Sequence, residues 1–434
     1  MADIRAFRGF RYDLGRVGAL TNVVAPPYDV IDAQLQQKLY DLSEHNAIRL
    51  ELTRDEPGDD ENSNKYTRAG NTLREWIVDA AVRQDTARGL YVYEQEYAVE
   101  GKTFVRRGFM ARVRLEPFGE GKIYPHEQTM SGPKEDRLKL YRATGFNLSP
   151  VFGLYPDGEG EVFALIEPLI RTAPPLVAKD HLGVTNRLWV VTDPAIVTKV
   201  IGAMGPKPVY IADGHHRYET GVKYLDERRA AGEVPDDEAA PNFCLMQLVG
   251  MSDPGLLILP THRLVSGLTG SVTGPALEAA LADHFDIVDR GTSAQAAWEH
   301  IQMDGAQTTL GFGTVSDGRW IVAKLRDAAV MAELAPDQSD DWRGLGVSVL
   351  HKLVLDRLVS AKIGGTPVCK YVHLLSEVTD AVGKGECQLA CLVPPATMEH
   401  VERIAGNGEK MPPKSTYFYP KLLTGMVFNS LKKD

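Results

Sequence analysis

The chain has 434 residues, 44% hydrophobic and 24% charged, a composition that is typical of globular proteins and long enough for two or three domains. Its 48 basic and 58 acidic side chains give a net charge of −10, which disfavours non-specific binding to nucleic acid. The sequence has neither an apolar segment of membrane-spanning length nor the pattern of a secretory signal, so we expect a cytoplasmic protein that binds neither nucleic acid nor membrane.

The four cysteines are too few in so long a chain to predict a disulfide framework, and they indicate reduced thiols. Cys387 and Cys391 have the spacing of half a metal site, but no second Cys/His pair accompanies them. We therefore interpret both as buried core residues.

The first 115 residues predict a mixed α/β domain. Residues 54–61 form a polar, acidic run typical of a solvated loop, and residues 65–82 have the apolar spacing of a helix. Two segments rich in aromatic and β-branched residues, 89–99 and 104–115, predict strands. The intervening Glu100-Gly101-Lys102 has the composition of a hairpin turn.

Residues 116–150 are punctuated by Gly and Pro, and this pattern predicts a polar loop of the kind that often carries function. The alternative for this stretch is an ordinary charged loop that opens a helix at Lys134. Residues 151–212 return to strand–helix alternation, and residues 341–360 have helical spacing. We expect three domains: an N-terminal mixed α/β domain (1–115), a central core (116–241) and a C-terminal α/β domain (242–434).

The strongest motif is Asp213-Gly214-His215-His216-Arg217, directly after the predicted strand 209–212. The glycine permits a sharp turn, and the next residues fall in the first turn of a helix. There, backbone N–H groups and the helix dipole suit a phosphate. The histidines add donors, and Arg217 could grip a phosphate through two N–H groups. Asp213 is compatible with a helix cap, a Mg²⁺ ligand or a partner that fixes a histidine tautomer. The alternative is a helix cap with two surface histidines.

A second motif places His126 and Glu127 side by side in the segment 125–129. A carboxylate beside a histidine could act as general base toward a substrate hydroxyl, and Lys134 and Arg137 could neutralise a phosphate. The alternative is a solvated loop with mixed charges. The residue three places after Glu127 is methionine rather than histidine, which disfavours a zinc protease.

A third motif, residues 411–421, carries Lys414, Ser415 and Thr416 on a loop stiffened by prolines and aromatic residues. It contains no Walker A pattern, and a packed aromatic segment is an equally good interpretation. A rigid turn at residues 25–31 contains Asp29, which lines a pocket or, more simply, caps the helix that begins near residue 32.

Taken together, these motifs resemble those of an uncharacterised family of bacterial and archaeal proteins. The matching segments are Ala25–Ile31 (APPYDVI), Pro125–Leu138 (PHEQT and GPKEDRL), Asn147–Tyr155 (NLSPVFGLY), Ile211–Thr220 (IADGHHRYET) and Pro412–Gly425 (PPKSTYFYPKLLTG). The DGHHR run also resembles the ParB/sulfiredoxin-like superfamily, which includes kinases that act on free L-serine. In those kinases the equivalent loop holds nucleotide phosphates, and a glutamate elsewhere is the base.

This resemblance implies an α/β (mixed α+β) protein with a ParB/sulfiredoxin-like core and additional mixed α/β domains. It also implies a phosphotransferase that forms O-phosphoserine from free L-serine, with Mg²⁺ and with ATP, ADP or pyrophosphate as phosphate donor. The alternatives are a phosphohydrolase, similar to a phosphoserine phosphatase, and a nucleotide-sensing ParB-like regulator without catalysis. A homodimer is compatible with all three.

In the leading hypothesis Glu127 is the catalytic base, an assignment that we infer because no local motif aligns it. His126, Asp213 and His216 are the other catalytic residues, and Asp213 is also the metal ligand. The residues expected to bind phosphate or substrate are Gly214, His215, Arg217, Lys134, Arg137, Lys414 and Ser415.

Overall fold

The computed structural model describes residues 2–127 and 131–432. The chain folds into two compact units. The first unit comprises Met1–Pro125, Thr129–Leu256 and Pro420–Asp434, and the second comprises His126–Gln128 and Leu257–Tyr419. Each unit combines a β-sheet with helices, so the prediction of a mixed α/β fold is confirmed. In the described part of the chain, no helix is both long enough and apolar enough to cross a membrane.

The strands are numbered along the chain. They are β1 Ile4–Arg5, β2 Phe10–Tyr12, β3 Val82–Gln84, β4 Leu90–Val99, β5 Lys102–Arg114, β6 Ile123–Pro125, β7 Phe146–Asn147, β8 Val151–Tyr155, β9 Leu176–Lys179, β10 Thr185–Val191, β11 Val209–Asp213, β12 Phe243–Gly250, β13 Leu257–Leu259, β14 His262–Leu268, β15 Phe285–Gly291, β16 Thr309–Thr314, β17 Arg319–Leu325, β18 Gly365–Val372, β19 Leu389–Leu392, β20 Tyr417–Tyr419 and β21 Asn429–Ser430.

The α-helices are α1 Leu14–Val17, α2 Ala33–Leu42, α3 Ile48–Glu51, α4 Lys65–Val78, α5 Ser131–Thr144, α6 Glu161–Ala164, α7 Glu167–Ile170, α8 Pro194–Met204, α9 His215–Ala230, α10 Gly274–Leu281, α11 Ala294–Asp304, α12 Val330–Leu334, α13 Asp340–Arg343, α14 Gly346–Ser348, α15 Ser360–Lys362, α16 Leu375–Gly383 and α17 Met398–Gly406. Short 3₁₀ turns lie at Leu20–Asn22, Tyr28–Val30 and Ala240–Asn242, and a π-helix spans Val349–Val359.

The first unit is built around a mixed sheet with the strand order β6-β11-β8-β12-β5-β4-β10-β9, and β1 pairs with β5. β11 is parallel to β6 and β12 is parallel to β8, while the other pairs are antiparallel. β4 and β5 form the predicted hairpin, and its turn residues Glu100 and Gly101 have positive φ angles of 49° and 76°. A two-residue hairpin turn of this kind requires such angles.

This sheet groups the chain differently from the three predicted domains. β5 pairs with β4 on one side and with β12 on the other, and β8 and β10 pair with β12 and β4. Ranges 1–115, 116–241 and the start of 242–434 therefore share one sheet. The physical reason is that a long hairpin offers two outer edges for pairing, and later strands use both: β10 pairs with β4 and β12 pairs with β5. The predicted domain boundaries stay a prediction.

The prediction of a loop over residues 116–150 was wrong in its second half, where α5 runs from Ser131 to Thr144. The alternative, a helix that opens near Lys134, was right. Leu138 and Tyr141 of α5 pack against Tyr224 of α9. The rest of the α5 sequence is polar and charged, so its narrow apolar face could not be recognised from the sequence pattern. α4 agrees with prediction, although it ends four residues early, before β3.

The second unit contains an antiparallel sheet with the order β15-β17-β16-β19-β14-β18 and a separate pair, β13 and β20. The helix predicted over 341–360 is present, but it is interrupted after α13 and continues from α14 into the π-helix. Cys387 and Cys391 are buried in this unit, as predicted, and all four cysteines are free.

Candidate functional site

The strongest sequence motif forms the connection between β11 and α9 in the first unit. Gly214 has left-handed backbone angles (φ 86°, ψ 26°) and α9 begins at the next residue, as the sequence predicts. Pairing with β8 skips Ala212, because Ile211 faces Gly153 and Asp213 faces Phe152. Bulges of this type re-aim the side chains that follow and are common beside functional sites.

Gly214 is required by its surroundings as well as by its angles. A Cβ atom at this position would lie 3.0 Å from Cζ, Nε and Nη2 of Arg217. The guanidinium of Arg217 therefore lies directly against the turn, and a Cβ at this position would make a tighter contact with it than side chains usually make.

Replacing Gly214 with alanine should lower the free energy of unfolding by about 1–2 kcal/mol, the cost of a left-handed angle at a residue with a Cβ. Gly202→Ala is the matched control, since a Cβ at Gly202 in α8 meets only open space. That change should stabilise the protein by about 0.5–1 kcal/mol. Urea unfolding measures both; equal effects of the two substitutions would contradict this account of the turn.

Asp213 is held between two cations. Its Oδ2 accepts a hydrogen bond from Arg217 Nη2 at 2.6 Å, and its Oδ1 pairs with the ammonium of Lys421. Burial alone would raise the pKa of Asp213, but the positive charges of Lys421 and Arg217 outweigh it and hold this pKa well below the ordinary value. The carboxylate of Asp213 is therefore ionised and is paired with two cations.

These ion pairs decide among the roles predicted for Asp213. The N-cap residue of α9 is Gly214, so Asp213 does not occupy the cap position that was predicted for it. Both oxygens of Asp213 already pair with cations, which would repel a divalent cation at this carboxylate. Among the residues that the structure describes, no group of three or more His, Cys, Asp or Glu side chains could hold a metal ion. The predicted role of Asp213 as Mg²⁺ ligand therefore does not fit its surroundings.

Arg217 is almost fully buried and bonds to protein groups through both terminal nitrogens. Nη1 donates to the carbonyl of Pro150, in the NLSPVFGLY motif, and Nη2 donates to Asp213. Burial alone would lower the pKa of Arg217, but Asp213 and Asp29 raise it. Because both terminal nitrogens are engaged, the geometry favours a positioning role over the predicted two-pronged grip on phosphate.

The two histidines differ in exposure. His215 is buried, whereas His216 is only partly buried. Thr220 donates a hydrogen bond to the backbone carbonyl of His216 at 2.6 Å, within α9. Of the pair, His216 is therefore the better placed to meet a ligand from solvent.

Lys421 is a site residue that the sequence analysis missed, because the third motif drew attention to Lys414 and the hydroxyls after it. The carbonyl of Pro420 accepts from Arg106 Nη2 at 2.6 Å, and the carbonyl of Lys421 accepts from Gln95 Nε2 at 3.1 Å. These bonds to β4 and β5 fix the backbone that presents the ammonium. The sequence signal that could have identified Lys421 is that the third motif continues into KLLTG, which begins with this lysine.

The N-terminal and C-terminal motifs meet in the same unit. Ala25 and Thr424 exchange backbone hydrogen bonds of 3.1 and 2.8 Å. The ring of Tyr28 stacks under the guanidinium of Arg137, 4.2 Å from its centroid. Burial raises the pKa of Tyr28 to about 12, so its hydroxyl stays neutral near pH 7.

The two cations predicted on the α5 motif are engaged in ion pairs. Lys134 lies 3.2 Å from Glu219 of α9. Arg137 is buried and donates to the carbonyl of Glu51 at 2.9 Å and to Asp136. These contacts tie α5 to α3 and α9, so both side chains have structural partners in addition to the phosphate role predicted for them.

In the second unit, His126 and Glu127 lie against the tail loop. His126 Nε2 is 2.7 Å from Thr416 Oγ1, and the carbonyl of His126 accepts from Met411 N at 2.8 Å. Glu127 Oε1 accepts from the backbone N–H of Lys414 at 2.9 Å. Lys414 has a left-handed φ of 58°, and its side chain is exposed. Gln128 and Thr129 of the same motif lie outside the described residues.

Ser415 is buried in this loop, and its hydroxyl donates to the carbonyl of Pro412 at 2.6 Å. This bond closes a local turn, so a role of Ser415 in substrate binding stays a prediction. The predicted site residues thus form two sets. Asp213, Gly214, His215, His216, Arg217, Lys134 and Arg137 belong to the first unit, and His126, Glu127, Lys414 and Ser415 belong to the second.

Comparison with known proteins places the chain in a family. Residues 4–348 match the family described as "Protein of unknown function (DUF1015)", and since this is most of the chain, the protein belongs to that family. No curated protein matches the chain significantly in sequence.

The structure is also similar, loosely, to several solved structures. A free serine kinase variant in complex with ADP is 11% identical, with a TM-score of 0.34 over 68% of this chain and 84% of that one. SbnI with a C-terminal truncation, from Staphylococcus aureus, is 12% identical, with a TM-score of 0.34 over 75% and 90%. A conserved hypothetical protein from Pyrococcus furiosus is 13% identical, with a TM-score of 0.33 over 69% and 89%.

Proposed function

We propose that this protein is a phosphotransferase that moves a phosphoryl group onto the hydroxyl of a small metabolite, with free L-serine as the first acceptor to test. The observation that carries the proposal is the turn at the start of α9. There, the ionised Asp213 pairs with both Lys421 and Arg217, and the N-cap residue is Gly214, which has no side chain to cap the helix.

Such a turn suits a phosphate for three physical reasons. The first backbone N–H groups of a sixteen-residue helix point outward with the positive end of its dipole. The left-handed Gly214 turns the chain sharply, so that α9 begins at the next residue. His216 adds a donor that is partly exposed. Phosphoryl transfer needs mainly positioning and charge neutralisation, which these groups would supply.

The proposed reaction forms a bond between the acceptor hydroxyl oxygen and the transferred phosphorus, and it breaks the bond from phosphorus to the leaving oxygen of the donor. The hydroxyl proton goes to the carboxylate of Glu127, which we assign as general base. The backbone N–H of Lys414 orients one oxygen of that carboxylate. We assign Lys414, whose side chain is exposed, to pair with the negative charge of the phosphate donor or of the acceptor.

The buried cations have supporting roles in this proposal. Arg217 positions Asp213 and the NLSP segment, and Arg137 and Lys134 position α5. A divalent cation would enter bound to the nucleotide or pyrophosphate, as part of the phosphate donor. No step depends on a metal held by Asp213.

The test is to incubate the protein with L-serine, Mg²⁺ and, separately, ATP, ADP or pyrophosphate, and to follow O-phosphoserine by ³¹P NMR. We expect O-phosphoserine with at least one donor. Phosphate release from O-phosphoserine in the absence of any acceptor would instead identify a phosphohydrolase. Nucleotide binding without turnover of any hydroxylated metabolite would identify a sensor and overturn the proposal.

A further inference from the structure

A cavity of about 500 Å³ lies wholly within the second unit, and none of its lining residues belongs to the phosphate turn. Its walls come from the segment around α12 and α13, the start of the π-helix, Tyr371 of β18 and the loop Lys410–Pro413. Pockets of about 300–1,000 Å³ are the usual size for small-molecule sites. π-Helical segments are also frequent at such sites.

Ser348 is the first observation that points to a ligand. Its side chain is fully buried and lines the cavity, and its hydroxyl has no hydrogen-bond partner among the residues that the structure describes. A buried hydroxyl without a partner costs free energy, so such groups in proteins usually have one. An acceptor atom of a ligand in the cavity would provide it.

His351 supplies a second donor. Its Nε2 accepts a hydrogen bond from Arg263 Nε at 3.2 Å, which places the ring proton on Nδ1. Burial and the charge of Arg263 lower the pKa of His351 to about 4, so the ring is neutral near pH 7. Arg263 is itself buried and donates to the carbonyls of Thr261 and Lys414, so this wall is rigid.

The charged and apolar residues that line the cavity indicate which class of ligand it could bind. Its charged lining residues are two lysines, Lys352 and Lys410, and one carboxylate residue, the exposed Asp337. Trp342 is buried, and its indole N–H donates to the carbonyl of Lys410 at 3.1 Å, which fixes the ring beside Pro412. The lining therefore offers donors and positive charge beside flat apolar surface.

We propose that this cavity is a binding site for a small organic anion, a carboxylate or a phosphate ester, with a flat apolar body. The anionic group accepts from Ser348 and His351 and is balanced by Lys352, and the body packs against Trp342 and the prolines. This site is separate from the proposed phosphate turn, and either could fail without the other.

Calorimetric titration of benzoate, phenyl phosphate and neutral benzamide tests the proposal. The titrations use the full-length His216→Ala variant, so that the proposed phosphate turn does not contribute. We expect at least one anion to bind with a dissociation constant on the order of 1 mM or below, and at least about tenfold more tightly than benzamide. Equal binding of benzamide, or no binding of either anion, would overturn the proposal.

Two further substitutions, each made in the same background, locate the ligand. Ser348→Ala and Lys352→Ala should each weaken the anion about tenfold. Ser348→Ala should leave stability to urea equal or higher, because it removes an unsatisfied group. Thr424→Val is the matched control, since Thr424 is an equally buried hydroxyl in the first unit without a partner among the described residues. Anion binding unchanged by Ser348→Ala and by Lys352→Ala would overturn the assignment.

Discussion

Replacing Asp213 with alanine is expected to lower the free energy of unfolding by about 3–5 kcal/mol, because it leaves two largely buried cations without their counter-charge. The side chains of Arg217 and Lys421 are only 5% and 13% exposed, so water cannot replace the carboxylate. Urea unfolding monitored by circular dichroism measures the loss. Since the pKa of Asp213 is lowered on folding, the ion pairs stabilise the protein above the ordinary value of 3.8, and the contribution declines as pH falls below it.

Glu399→Ala is the matched control for this prediction. Glu399 pairs with Arg403 at the same i,i+4 spacing as Asp213 and Arg217, but the side chains are 67% and 58% exposed. Exposed pairs of this kind contribute less than about 1 kcal/mol. A loss for Asp213→Ala no larger than that for Glu399→Ala would show that the charge cluster does not hold the turn together.

Replacing Glu127 with glutamine is expected to lower O-phosphoserine formation by about 10²–10⁴-fold, the usual contribution of a general base. Glutamine keeps an oxygen that can accept the N–H of Lys414, so the loop should keep its shape and its stability. Binding of the phosphate donor should therefore change little. The measurement is ³¹P NMR of product formation, beside calorimetric titration of the donor.

Glu135→Gln serves as the control for this variant. Glu135 is an exposed carboxylate on α5 that pairs with Lys223 at 3.4 Å and has no assigned role. Its substitution should leave turnover unchanged. Full activity of Glu127→Gln would show that Glu127 is not the general base. Loss of donor binding in that variant would show that Glu127 binds the donor instead of accepting the proton.

Local patterns in the sequence predicted the local parts of the fold. The β4–β5 hairpin was foreseen because alternating apolar residues flank a turn that suits positive φ angles. α5 was obscured because its buried side is narrow and its remaining residues are polar. Strands that are distant in the sequence share one sheet. Their order depends on which sheet edge each strand pairs with, and local sequence patterns do not determine that pairing.

The same limit applies to the site. The run from Asp213 to Arg217 identified the β11–α9 turn because its residue types report local backbone geometry. The partner of Asp213 could not be foreseen, because Lys421 lies 208 residues away in the sequence. Arg217 looked like a ligand grip because its type suits phosphate, whereas its burial and its bond to Pro150 emerge only from packing.

The binding of phosphate by the first turn of α9 is tested most directly by calorimetric titration of pyrophosphate into the wild type, His216→Ala and the control His300→Ala. His300 is a partly exposed histidine of α11 in the second unit, with no assigned role. We expect wild type and His300→Ala to bind equally, and His216→Ala to bind about tenfold or more weakly, as for a lost hydrogen bond to a charged group. Equal affinities in all three proteins would contradict a phosphate site at this turn.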